Sequence, residues 1–181
     1  MDRTVPRNIS EEENLLRGIV HPMFYSNSKG TVKREAFLPP PERRDVSLLR
    51  RKYAIDDSFC KRHCKSLKIG TNKYVGIAVF LASHITKINN DEDSTIPIIV
   101  KATPLSTTGE LIPKDEKVYI TTPGLPMHAD LLYKIALPTK GEPAIEHRVT
   151  ATKISKKVNF HLDEGPSSDT WEGNELVWEE I

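Results

Sequence analysis

The chain has 181 residues, 38% hydrophobic and 28% charged, and its 26 Lys+Arg against 25 Asp+Glu leave a formal net charge of +1. That composition supports one packed core of ordinary domain size and excludes wholesale disorder, a collagen-like repeat, a disulfide scaffold and a strongly basic nucleic-acid coat protein. The near-neutral sum hides a segregation: residues 43–73 carry ten basic and three acidic side chains, whereas residues 163–181 carry seven acidic and no basic ones.

Residues 1–13 are polar and end in an acidic triplet, so no secretory signal is predicted. The longest apolar run, 74–88, is shorter than the ~20 residues of a membrane-spanning helix. Cys60 and Cys64 lie four apart in a cationic segment, unlike a secreted disulfide framework. A soluble, cytoplasmic protein with no membrane partner is the expectation.

Along the chain, Ser10 with Glu13 ahead of Leu15, Leu16 and Ile19 reads as a capping box opening a short helix, stopped by Gly18 and Pro22. Residues 23–31 carry turn chemistry. Residues 32–38 and 46–53 are predicted strands, separated by Pro39-Pro40-Pro41, whose missing amide donors exclude ladder pairing. Asp56 or Asp57 caps a helix to about Lys68, with Phe59, Cys60, His63, Cys64 and Leu67 inward and Lys61, Arg62, Lys65 and Lys68 on the rest. The run 74–88 is apolar on every face and is read as a strand at its start. After an acidic loop at 89–93, residues 96–103, 117–121 and 131–137 are β-rich runs between Pro and Gly, which predicts an antiparallel meander. Residues 144–152 predict a helix and 157–162 a last strand. The expected fold class is α+β: a single domain over 1–165, with a mostly antiparallel twisted sheet and two or three helices. An acidic segment, 166–181, is expected to dock through Trp171 and Trp178.

Chemistry-bearing residues fall into three groups. Cys60, His63 and Cys64 have zinc-like spacing but supply only three ligands, and the helical period turns both cysteines inward, so no metal or cofactor is expected. The same inward orientation argues against a reactive thiol. His128 and Asp130 lie two apart and share a face if extended, so Asp130 could orient His128 as a base, with Glu142, Glu146 and His147 near in sequence. Arg34 and Arg50 are the candidate anion anchors for such a site. Arg43, Arg44, Arg51, Lys61, Arg62 and Lys65 form a basic surface that could meet nucleic acid or be neutralised by the acidic end.

Several segments in order carry a family likeness: EENLLRG at 12–18 with His21-Pro22, REAF at 34–37, Asp45-Val46-Ser47 followed by Arg50, Gly76-Ile77-Ala78, His128-Ala129-Asp130, KGEPA at 140–144 and Trp171-Glu172-Gly173. The series resembles a family of small bacterial cytoplasmic proteins with AF, SV..R, P-HAD and W-G segments and no established activity. Leu48 and Leu49 occupy the spacing after Ser47, a departure from that pattern. The resemblance implies a bacterial origin and a self-contained domain. It singles out Ser47, Arg50, His128 and Asp130 and implies no reaction.

Three functions remain open at this point. The first is a non-enzymatic accessory or interaction protein with a protein partner, acting through its charge-segregated surface. The second is a small hydrolase or transferase using His128 and Asp130 with an arginine anchor. The third is nucleic-acid binding through residues 43–73.

Overall fold

The computed structural model describes residues 3–93 and 96–180. At its centre lies β1 (Asn14–His21), where a short helix was predicted. The capping-box pair does form, but as a turn: the Ser10 amide donates to Glu13 Oε1 and the Glu13 amide to the Ser10 carbonyl, each at 3.1 Å. The residues that follow are buried on both faces, Leu15 and Ile19 in one apolar layer and Leu16 in the other. A strand covered on both sides loses its alternation, which is why the pattern mimicked a helix.

A six-stranded antiparallel sheet is built outward from β1, in the order β6-β7-β4-β1-β5-β8. Its other members are β4 (Asp45–Arg50), β5 (Lys73–Leu81), β6 (Ile98–Ala102), β7 (His128–Tyr133) and β8 (Asn159–Leu162). A separate two-stranded hairpin pairs β2 (Tyr25–Ser26) with β3 (Thr31–Val32). The predicted strand at 32–38 is instead the end of that hairpin and a 3-10 helix, Arg34–Phe37, which buries Ala36 and Phe37. Residues 117–121 form no strand and meet the N-terminal segment at one bridge, Thr4 with Tyr119.

Among the described residues three α-helices cover the sheet. The first, α1 (Asp57–Ser66), is capped as its sequence dictates, Asp56 accepting from the Phe59 amide. The second, α2 (Ala82–Asn89), follows β5 directly, so the apolar run 74–88 divides into a strand and a helix. The third is α3 (Ile145–Ser155). The α+β class and the antiparallel sheet are as expected from the sequence.

Two apolar layers result, one on each face of the sheet. One contains Val46, Leu48, Phe80 and Leu131 with Ile85 of α2 and Ile154 of α3. The other contains Leu49, Ile77 and Val79 with Cys60 and Cys64 of α1, and it is completed by Leu176 from the C-terminal segment. Gly18 of β1 and Gly76 of β5 permit close approaches at the sheet. A Cβ on Gly18 would lie 2.9 Å from Cys64 Cβ, so its absence lets α1 sit on β1. On Gly76 a Cβ would overlap the His161 carbonyl and come within 2.9 Å of the Phe160 ring. The Gly76→Ala substitution is therefore expected to lower stability by ~1–3 kcal/mol in urea unfolding, the usual cost of overpacking.

Candidate functional site

Strand alternation decides which polar side chains can meet. In β4, Val46 and Leu48 enter the layer under α2 and α3, so Ser47 points to the opposite face. In β7, Ala129 and Leu131 enter that same layer, which turns His128 and Asp130 to the face of Ser47. The register places Ser47 opposite Asp130 and Leu49 opposite His128, making Ser47 and His128 diagonal neighbours.

The contact between them is short: Ser47 Oγ lies 2.6 Å from His128 Nε2. The other ring nitrogen, Nδ1, is 2.9 Å from both the carbonyl oxygen and the hydroxyl of Thr103. Asp130 stands 3.9 Å from Nε2, with the Thr103 side chain near enough to favour its charged form. Burial raises the Asp130 carboxyl above its usual range, opposed by the neighbouring His128. On α1, burial pulls the His63 pKa down to about 4, with a smaller contribution in the same direction from nearby His128. Arg17 donates to the Ser47 carbonyl at 2.9 Å and to the Ala36 carbonyl at 3.1 Å, and burial lowers its pKa to about 10.

The two arginines named as anchors do not join this cluster. Arg50 is fully buried, with Nε and Nη2 on the Glu13 carboxylate at 2.7 and 2.8 Å, a further Nη2 bond to the Asn8 carbonyl and Nη1 on the Pro6 carbonyl. It binds the N-terminal segment to β4 and has nothing to offer an external anion. Arg34 is paired with Glu35 at 3.2 Å and stands beside α3, on the other side of the sheet. His147 is also on that side, bonded to the Ile135 carbonyl and stacked on Tyr133. Arg17 meets Ser47 only at its backbone carbonyl, from the Phe24 and Ala36 side of the sheet; Thr103, which sequence reasoning missed, is the residue that joins the cluster. A signal for the cluster was present, because Ser47, His128 and Asp130 interrupt otherwise apolar strands at alternate positions.

The basic surface predicted over 43–73 is largely consumed within the molecule. Lys61, expected outside, is fully buried: its ammonium meets Asp163 at 2.9 Å, the Gly165 carbonyl at 2.8 Å and the Thr170 carbonyl at 2.9 Å. Lys65 holds Asp169 and the Ser168 carbonyl, both at 2.8 Å, and Lys65 pulls the Asp169 carboxyl below its ordinary range. Arg43 pairs with Asp45 and Arg51 with Asp57. Arg44 reaches the Lys134 carbonyl, and Arg62 stays exposed. The acidic segment, described as far as residue 180, is thus laid across α1, with amides of Trp171, Leu176 and Trp178 donating to Ser58, Asp57 and Asn14.

Cys60 and Cys64 are buried free thiols, both pushed up to about 12 by burial, and so are protonated at neutral pH. Among the described residues no group of three His, Cys, Asp or Glu side chains is placed to hold a metal ion, and no helix is long and apolar enough to cross a membrane. Comparison with family models, curated proteins and solved structures gives no match for this chain.

Two outcomes follow from this geometry. Lys61→Met leaves Asp163 buried without its cation and is expected to destabilise the fold by ~3–5 kcal/mol in chemical unfolding, with much of the loss recovered when Asp163 is also replaced by leucine. His63, held neutral, binds no proton in the native state above about pH 4, while the unfolded chain takes one up below about 6.5. Stability complete above that upper value is lost as pH falls through the window; His84 and His161 shift the same way and Asp130 opposes them. Melting temperatures from pH 7 to 4 check this, and His63→Gln should flatten the decline.

Proposed function

We propose that this is a cytoplasmic interaction protein that grips an acidic, apolar-bearing segment of a partner protein. One observation carries the proposal. Two adjoining hollows of about 370 and 620 Å³ run between α3 and the hairpin with its 3-10 helix. Their walls contain Lys29, Lys33, Arg34, Arg148, Lys153 and Lys156 and no carboxylate. The floor of the first is apolar, formed by Ile145 (66% exposed) and Val149 on the outward face of α3. Lys29, Arg148 and Lys156 have no ion-pair partner among the described residues, whereas Arg34 and Lys153 are paired with Glu35 and Asp91.

Charge segregation therefore supports an external role, but not where the sequence concentrates it. Of the cations of 43–73, Lys61 and Lys65 hold the chain's own acidic segment, while Arg43, Arg50 and Arg51 pair with Asp45, Glu13 and Asp57. The cations around α3 are scattered over residues 29–156 and become a patch only in three dimensions. An exposed apolar stripe ringed by one sign of charge suits an amphipathic acidic helix or strand, with the stripe supplying affinity and the rim orientation and on-rate. Two buried thiols left unpaired support a reducing compartment. The bacterial setting rests on the sequence resemblance.

Titration with a synthetic peptide bearing glutamate and leucine at helical spacing, followed by amide chemical shifts, tests the proposal. Saturable shifts confined to α3 and residues 26–34, weakened about tenfold or more by Arg148→Glu with Lys156→Glu, are the expected outcome. Absence of binding, equal affinity of the charge-reversed protein, or preference for heparin or single-stranded RNA over the peptide would overturn it.

A further inference from the structure

Independently of the α3 groove, we propose that Ser47 is a nucleophilic hydroxyl with His128 as its general base, able to accept the acyl group of a small carboxylic ester. The argument begins with the proton on His128. A carbonyl oxygen can only accept, so the 2.9 Å contact of Nδ1 with the Thr103 carbonyl places the ring proton on Nδ1. Nε2 then presents its lone pair, and the Ser47 hydroxyl donates to it across 2.6 Å. That is the direction in which a serine proton must move for its oxygen to attack.

Asp130 completes the arrangement without touching Nδ1. Its carboxylate is 3.9 Å from Nε2, and Thr103, which fixes the ring at Nδ1, lies near enough to favour the charged form of that carboxylate. A carboxylate there stabilises the imidazolium formed when the serine proton arrives. Thr103 is thus a positioning residue, acting through His128.

A buried histidine needs hydrogen-bond partners for purely structural reasons, and Thr103 would meet that need at Nδ1 alone. What exceeds it is the setting of Ser47. Ser47, Asp45 and Asp130 are partly exposed, and on the adjoining strand Ile99 and Lys101 of the same face are exposed. A small ester can reach the hydroxyl across this open part of the sheet. Lys101, exposed, opposite Asp130 in the ladder and without a partner among the described residues, is a cation on the face where an oxyanion would develop.

In the first step Ser47 Oγ forms a bond to the carbonyl carbon while its proton passes to Nε2. Collapse of the tetrahedral intermediate breaks the ester C–O bond, and the leaving alcohol takes that proton from Nε2. Water then attacks the acyl-serine, gives a proton to Nε2, and releases the carboxylic acid as the proton returns to Ser47 Oγ.

The test is covalent labelling of the full chain with a fluorophosphonate probe, with the site read by peptide mass spectrometry. Labelling at Ser47, abolished in Ser47→Ala and slowed about a hundredfold or more in His128→Gln, is expected. Thr103→Val, which keeps the carbonyl but removes the hydroxyl, should slow labelling while leaving the melting temperature near that of the parent. Ser47→Cys provides a second readout that does not depend on the histidine variant folding: its new thiol should react with iodoacetamide faster than a free cysteine, whereas Cys60 and Cys64 stay unreacted. No label on the folded protein, label on another residue, label undiminished in a folded Ser47→Ala variant, or a sluggish thiol in the Ser47→Cys variant would each overturn the proposal.

Discussion

The buried ammonium of Lys61 organises this molecule. Its three donors are met by the Asp163 carboxylate and two carbonyls of residues 165 and 170, so a charge that would be prohibitive alone in an apolar layer becomes a fastening point. Around that point the C-terminal segment wraps over α1, brings Lys65 against Asp169, and delivers Leu176 into the second apolar layer. The same fastening decides which surface faces outward electrostatically. With Lys61 and Lys65 of α1 turned to the chain's own acids, the ring of cations around α3 faces outward as a basic groove.

Glu13 and Arg50 do comparable work at the other end of β1. The carboxylate accepts from the Ser10 amide and takes two guanidinium bonds, and the carbonyls of Pro6 and Asn8 accept two more from Arg50. The guanidinium also lies over the Tyr53 ring at 4.4 Å. Both ion pairs are therefore interior joints between segments far apart in sequence, which explains why positions that looked like anion anchors or surface charges serve the fold.

Much of the fold was legible. The Asp56 cap and the spacing of Cys60 and Cys64 defined α1, the Val75–Val79 alternation started β5, and the turn residues before 144 announced α3, all from local preferences that the packing did not override. The errors share a cause. Leu15, Leu16, Ile19 and Val20 imitate a helix because both faces of β1 are covered, and Lys61 sits among charged neighbours in sequence while its partner lies 102 residues away. The site was legible only as separate letters. Ser47, His128 and Asp130 each stood out as polar, but their meeting depends on the β4–β7 register, and Thr103 joins them from a loop whose approach no periodicity encodes.

The placement of Leu176 and Asp163 also fixes an order of events during synthesis. Translation runs from the N-terminus, and α1 with the strand beneath it emerges about a hundred residues before the acid and the leucine that seal it. Burial of the Lys61 ammonium before Asp163 arrives would strand the charge, so closing the inner face of α1 is unfavourable until then. The sheet can pair strand by strand on the ribosome, but the layer holding both thiols closes only when the last segment arrives.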